Sequence, residues 1–314
     1  MMLLALAAVL PGLLWNDAPD TAPALRDAGI TSIEVPAAQA GAWKEIGGFS
    51  IQSADLKNAV KLLAPSVLYR PNQASATRSP WLVSNGWRFL RNPEGSFISE
   101  VRGPQAALAA AEAFCFGAKA LVQPDRAGLK PFAEMIDFLR GLGDTDNTAV
   151  ADVGFVDDGS SIAAEVMNMM VRDNLLFKLV PRPGRRPDPQ VKITVQVGSK
   201  EFPLEEAKNP SMAAHEVRAR LTDEKRSIRI YGSQVVVARL TTISGGLRVH
   251  LLNYAGAERK VDGLRVRVLG QYPRHRLSAA GSPQEELLDY TTDAEATEFT
   301  LPELKTYAII DLSR

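Results

Sequence analysis

SIRIYGSQVVVARLTTISGGLRVHLLNYAGAERKVDGLRVRVLGQY, residues 227–272, is a succession of short β-type runs parted by Gly-rich turns. Branched and apolar residues at alternate positions suit a pleated surface covered on one side. Leu247, Val249 and Leu251 fall on one face, and Leu264, Val266 and Val268 on another. Arg248, His250, Arg265 and Arg267 face the opposite way. Period-two burial with basic residues outside predicts two packed antiparallel sheets, a β-sandwich. ATEFTLP (296–302) and TYAIIDL (306–312) supply its last strands.

Upstream of Ser227 the pattern changes to alternating strands and helices, the signature of an α/β body. GLLWND (12–17) reads as a strand ending in Asp17, APALRDAG (22–29) as a helix closed by Gly29, and ITSIEVP (30–36) as a second strand carrying Glu34. ADLKNAVKLLA (54–64) has Leu56, Val60 and Leu63 spaced for one helical face. SVLYRP (66–71) suggests a strand, and RSPWLVSNGWRFLRNPEG (78–95) a loop around a short strand. SFISEVRG (96–103) is a strand, followed by an Ala-rich helix that Pro104 opens and Gly117 caps. KALVQPD (119–125) is the next strand, and Pro131 opens a helix with Phe132, Met135, Ile136 and Leu139 on one face.

GLGDTDNT (141–148) marks a boundary. AVADVGFVDD (149–158) is a continuous apolar strand of the kind covered on both faces. A helix capped by Ser160, a strand at 176–181, an edge strand VKITVQV (191–197) and a helix at 210–221 complete a second α/β unit.

The totals exclude several classes. With 314 residues the chain has room for two or three domains. Lys plus Arg (36) balances Asp plus Glu (36), so no footprint for nucleic acid is present. PRPGRRP (181–187) reads as a solvated linker. The single cysteine, Cys115, forms no intrachain disulfide, and its small and aromatic neighbours mark it as a buried, inert thiol. His215, His250 and His275 have no metal-ligand spacing, no GxSxG elbow accompanies them, and VDDGSS lacks the GxGxxG spacing of a nucleotide loop. No metal and no cofactor are therefore expected. MMLLALAAVLPGLL is too short to cross a membrane. It reads either as an export signal covering residues 1–11, the favoured reading although the charged n-region is missing, or as a short leader running into the first strand.

Three segments carry a resemblance: SEVRGPQAALAAAEAFCFGAKALVQPD, VADVGFVDDGSSIAAEV and YGSQVVVARLTTISGGLRVHLLNYAG. Their order resembles bacterial glycoside hydrolases of the beta-galactosidase type, in which a (β/α) barrel, a flavodoxin-like domain and a β-sandwich follow one another. The resemblance implies a reduced (β/α) barrel over 12–145, a flavodoxin-like or amidotransferase-like unit over 146–226 and a sandwich over 227–314. It departs from the family in two ways. About 145 residues precede the middle unit, where a complete barrel takes about 200 or more. No Asn-Glu dipeptide occurs, so the family's proton donor has no counterpart.

Glycoside hydrolysis needs two carboxyl groups across one sugar bond, one of them protonated near neutral pH. Asp17, Glu34 and Glu100 are the candidates. Trp15, Trp81 and Trp87 offer flat surfaces to sugar rings, and Arg70 and Asn85 offer hydroxyl contacts. The competing reading makes Asp17 or Asp20 a helix cap, Glu34 a surface charge and the tryptophans core. Glu112 reads as a buried, paired carboxylate, and Asp157 and Asp158 as helix-capping residues rather than ligands. The leading expectation is an exported, glycoside-hydrolase-like protein that binds carbohydrate, or serves as an assembly unit, without catalysis. An active glycosidase and a structural protein that forms homo-oligomers through its C-terminal strands are the alternatives.

Overall fold

Parallel strands need helical crossovers, and the Pro/Gly punctuation of the first 140 residues supplies them. The computed structural model describes residues 9–69, 80–142, 148–181, 190–282 and 286–314. In the first part β1 (Gly12–Leu13), α1 (Ala22–Asp27), β2 (Ser32–Pro36), α2 (Ala40–Ile46), β3 (Ser50–Ala54) and β4 (Val60–Leu62) come first. They are followed by β5 (Ser66–Leu68), β6 (Trp81–Val83), α3 (Gly86–Arg91), β7 (Ser96–Val101), α4 (Gln105–Cys115), β8 (Lys119–Pro124) and α5 (Leu129–Arg140). A parallel sheet runs in the order β1-β8-β7-β4, which places the first strand beside the last. β2 pairs with β3 in parallel and meets the first strand through the bridge Leu14↔Glu34.

Each strand has two fates for its side chains. Leu13, Ile33, Val35, Phe97 and Val122 turn outward into the core shared with the helices. Leu14, Ala54, Ile98 and Leu121, with Leu56 and Ala59, form a small apolar cluster on the other face. The helix expected over 54–64 is absent. Leu56 and Ala59 are drawn into that small cluster, and 60–62 pairs with β7 (Val60↔Phe97, Leu62↔Ser99), so tertiary pairing overrides the helical spacing. The 78–95 segment also differs from expectation, since α3 follows its short strand.

α4 is buried along nearly its whole length because its alanines allow close approach to the sheet. It ends at Gly117, whose φ of 67° gives the left-handed cap that the sequence predicts. Cys115, on its last turn, is 1% exposed, and burial pushes its thiol up to about 12. The native protein is expected to be inert to a disulfide thiol reagent and to release one equivalent of chromophore only after denaturation; prompt native labelling would contradict this burial.

The second part holds β9 (Val153–Val156), α6 (Ser161–Arg172), β10 (Phe177–Leu179), β11 (Ile193–Gln196), α7 (Leu204–Ala207) and α8 (Pro210–Leu221). Its parallel sheet runs β10-β9-β11, with the wholly buried β9 central and β11 at an edge, as their apolar patterns predict. Ser160 caps α6 by accepting the Ala163 N–H at 3.1 Å.

The C-terminal part is β12 (Ile228–Tyr231), β13 (Val236–Ile243), β14 (Gly246–Asn253), β15 (Val261–Leu269), β16 (Arg274–Ala279), β17 (Leu288–Thr292), β18 (Ala296–Leu304) and β19 (Tyr307–Ser313). Two four-stranded antiparallel sheets form, β12-β15-β18-β17 and β13-β14-β19-β16. Val249, Leu251 and Ile310 of one meet Leu264, Val266 and Phe299 of the other in a single apolar cluster. At the β13–β14 turn Gly246 has no alternative, because a Cβ there would lie 1.9 Å from the Leu312 carbonyl oxygen.

The alternation of this region is as read, but the basic face of β14 is not outside. Arg248 is 3% exposed and His250 0% exposed. Val237, Leu252, Tyr307 and Ile309, on the same face, join the core of the α/β part, and the Tyr307 ring meets Phe138 edge-on at 6.1 Å. A sheet covered on both faces must satisfy its polar side chains internally. Arg248 therefore pairs with Asp311, His250 sits between Thr241 (3.0 Å) and Tyr307 (2.7 Å), and the Arg239 guanidinium donates to the Cys115 carbonyl. On the other sheet Arg265 keeps the expected solvent side, paired with Glu298 at 2.8 Å.

Candidate functional site

In parallel α/β folds the chain turns away at the carboxyl ends of the strands, and the loops there build the ligand site. Here the loops after β1, β7 and β8 enclose a cavity of about 570 Å³. Asn16 and Asp17 come from the loop after β1, Glu100 from the end of β7 and Arg102 from just beyond it, Gln123 from the end of β8 and Arg126 from the loop that follows. Side-chain hydrogen bonds hold these loops. The Trp15 indole is 3% exposed and donates to Thr21 Oγ1 at 2.9 Å. The Trp43 indole donates to the Asp17 carbonyl at 3.3 Å. Asp125 Oδ1 accepts the N–H groups of Gly103 and Gly128, each at 2.9 Å, and ties two of the loops together.

Asp17 and Glu100 thus line one cavity, with Trp15 as part of its wall. The Glu100 side chain is 66% exposed and lies 3.9 Å from the Lys61 ammonium. Glu34 lines a different cavity of about 610 Å³ at the starts of the same strands, with Gln52 and Lys119. The two cavities share no lining residue. Burial pushes the Glu34 carboxyl up, against the opposing pull of Lys119. Its seat depends on Gly12, where a Cβ would lie 2.6 Å from Glu34 Oε1.

The remaining candidates lie elsewhere. Trp81 is half-buried on β6 with the Arg172 guanidinium 3.7 Å over its ring. Trp87 on α3 is 9% exposed beneath Arg88. Asn85 is fully buried, and its amide donates to Leu63 O at 3.0 Å and to Glu112 Oε2 at 3.1 Å. Arg70 falls outside the described residues. Asn16, Arg102, Gln123 and Arg126 escaped the sequence reading, although each stands at or just after a strand end.

Glu112 is the buried, paired carboxylate expected of it. Its Oε1 accepts from Asn85 N–H at 2.6 Å, from the Tyr254 hydroxyl at 2.6 Å and from the Ser84 hydroxyl at 3.0 Å. Burial pushes this carboxyl up despite those donors. Asp157 and Asp158 are also structural. Asp157 takes a two-pronged Arg91 contact at 2.7 and 2.9 Å, and Asp158 accepts the Ser160 N–H at 2.8 Å ahead of α6. Burial holds the His250 imidazole well below its ordinary value, and its two ring nitrogens are taken up by Thr241 and Tyr307 within the core. Among the described residues no group of three or more His, Cys, Asp or Glu side chains is placed to hold a metal ion. No described helix is long and apolar enough to cross a membrane.

No family model and no curated protein sequence matches the chain. Solved structures do. An alpha-L-fucosidase, isoenzyme 2 from Paenibacillus thiaminolyticus, superposes with a TM-score of 0.53 at 9% identity, over 72% of this chain and 62% of the fucosidase. A rhamnosidase from Novosphingobium sp. PP1Y gives 0.49 at 10% identity, over 82% of this chain and 34% of the rhamnosidase. The chain thus spans less than two thirds of either relative. The fold, a mixed α/β body with a β-rich C-terminal region, is similar to that of the fucosidase over the superposed part.

Proposed function

We propose that the protein is a glycoside-hydrolase-like carbohydrate-binding protein that holds sugar in the cavity after β1, β7 and β8 and does not cleave it. The observation that carries this reading is the separation of the carboxyls. A proton donor must be desolvated and must face its partner across one glycosidic bond. Glu34, the candidate whose carboxyl burial pushes up, lines one cavity, while Asp17 and Glu100 line another. Three features support the architecture read from the sequence. The adjacency of β1 and β8 favours a reduced (β/α) barrel over 12–145. The order β10-β9-β11 matches the start of a flavodoxin-like sheet over 146–226. The paired sheets after residue 227 favour a sandwich. Within this scheme residues 1–11 act as an export leader.

The expected result is weak, saturable binding of oligosaccharides by calorimetry, with no release of nitrophenol from aryl galactosides, fucosides or rhamnosides. Asp17→Asn and Glu100→Gln should each weaken binding about tenfold, some 1.4 kcal/mol. A second reading, an active glycosidase, is favoured by the meeting of Asp17 and Glu100 in one cavity. Steady turnover abolished by Asp17→Asn or Glu100→Gln would establish it and overturn the first.

A further inference from the structure

A separate cavity of about 290 Å³ opens where the ends of α6 and α8 meet β12, and it shares no lining residue with either cavity described above. Its volume is at the lower end of the range of small-molecule pockets, roughly 300–1,000 Å³. Four arginines line it: Arg172, Arg218, Arg226 and Arg229. Asp223, beside it, is the shared acceptor of three of them. Arg218 grips it with two prongs at 3.0 and 2.8 Å, Arg226 Nη1 reaches it at 3.1 Å, and Arg229 Nη2 stands off at 3.6 Å. Asp173 lines the cavity and Glu224 feels the charge of Arg229, so four guanidinium groups meet three carboxyls.

Arg226 is the most buried of the four. Arg226 is 5% exposed; its Nη2 donates to the carbonyls of Asp173 and Asn174, and its Nε has no partner among the described residues. Arg172, Arg218 and Arg226 share the Asp173 carboxyl as a counter-charge. The Arg172 guanidinium lies 3.7 Å from the centre of the Trp81 ring, and the Arg229 guanidinium lies 4.9 Å from the centre of the part-exposed Tyr231 ring. Guanidinium forks match flat, two-oxygen acceptors, and Asp223 already occupies that of Arg218.

We propose that this cavity is an anion site that takes the carboxylate or phosphate group of a small ligand. It is independent of the sugar surface after β1, β7 and β8. The test is calorimetry on the full chain with galacturonate, inorganic phosphate and neutral galactose. Saturable binding of galacturonate or phosphate, weakening as ionic strength rises, with galactose silent, is the expected result. Galacturonate alone identifies an acidic sugar as the source of the anion, and phosphate alone a free or esterified phosphate. Arg229→Gln, chosen because its contact with Asp223 is the longest of the three, should lower the affinity about tenfold or more while leaving the unfolding midpoint within a few degrees. The proposal falls if neither anion binds, if galactose binds as well as galacturonate, or if a folded Arg229→Gln protein binds unchanged.

Discussion

Arg248→Ala is expected to lower the unfolding free energy by about 3–5 kcal/mol, the cost of breaking a buried ion pair by removing one partner. Arg248 Nε lies 2.6 Å from Asp311 Oδ1 and Nη2 lies 2.9 Å from Oδ2, while Nη2 also donates to the Leu142 carbonyl at 3.3 Å. The arginine side chain is 4% exposed, so deletion strands the Asp311 carboxylate at the junction of the two regions. Arg265→Ala is the internal control. That residue sits on β15 with 35% of its side chain exposed, and its loss should cost about 1 kcal/mol or less. Urea unfolding of the two variants measures the contrast. Equal losses would mean that the outward face of β14 is not covered by the α/β part. A double change, Arg248→Met with Asp311→Leu, should recover most of the loss, because an apolar pair avoids desolvating two charges.

Glu112→Ala should cost about 3 kcal/mol or more, since three donors on Oε1 lose their acceptor inside the protein at about 1–3 kcal/mol for each group left unmade. The pH dependence is the sharper diagnostic. The folded protein raises this carboxyl above its unfolded value of about 4.3. Between those two values the folded state binds more protons than the unfolded state, so the Glu112 contribution is full below the unfolded value and is lost as pH rises through the folded one. Wild type should therefore lose stability relative to Glu112→Gln on going from pH 4 towards pH 8. Parallel stability profiles for the two proteins would contradict that assignment.

Much of the framework was legible because local rules and tertiary contacts agree. The alternation in residues 227–312, the cap at Gly117, the Ser160 N-cap and the wholly apolar β9 each state their structure directly. The segment 54–64 was not legible, because Leu56, Val60 and Leu63 fit a helix equally well until pairing with β7 decides. Period two also fixes which residues of β14 share a face but says nothing of what lies beyond that face. Arg248 and Asp311 are opposite each other in the β14–β19 register, which is knowable only once the strands are paired. Asp17 and Glu100 were findable as strand-end acids. That Glu34 lines the other cavity follows from how the strands are staggered, which a linear pattern does not encode.

The Tyr254 hydroxyl on Glu112 ties the C-terminal strands to the α/β part. Here a phenol from just beyond β14 completes the hydrogen bonding of a carboxylate inside α4, and a guanidinium from β13 reaches the last turn of the same helix. A C-terminal region lacking either group would leave the Glu112 carboxylate or the end of α4 short of a donor.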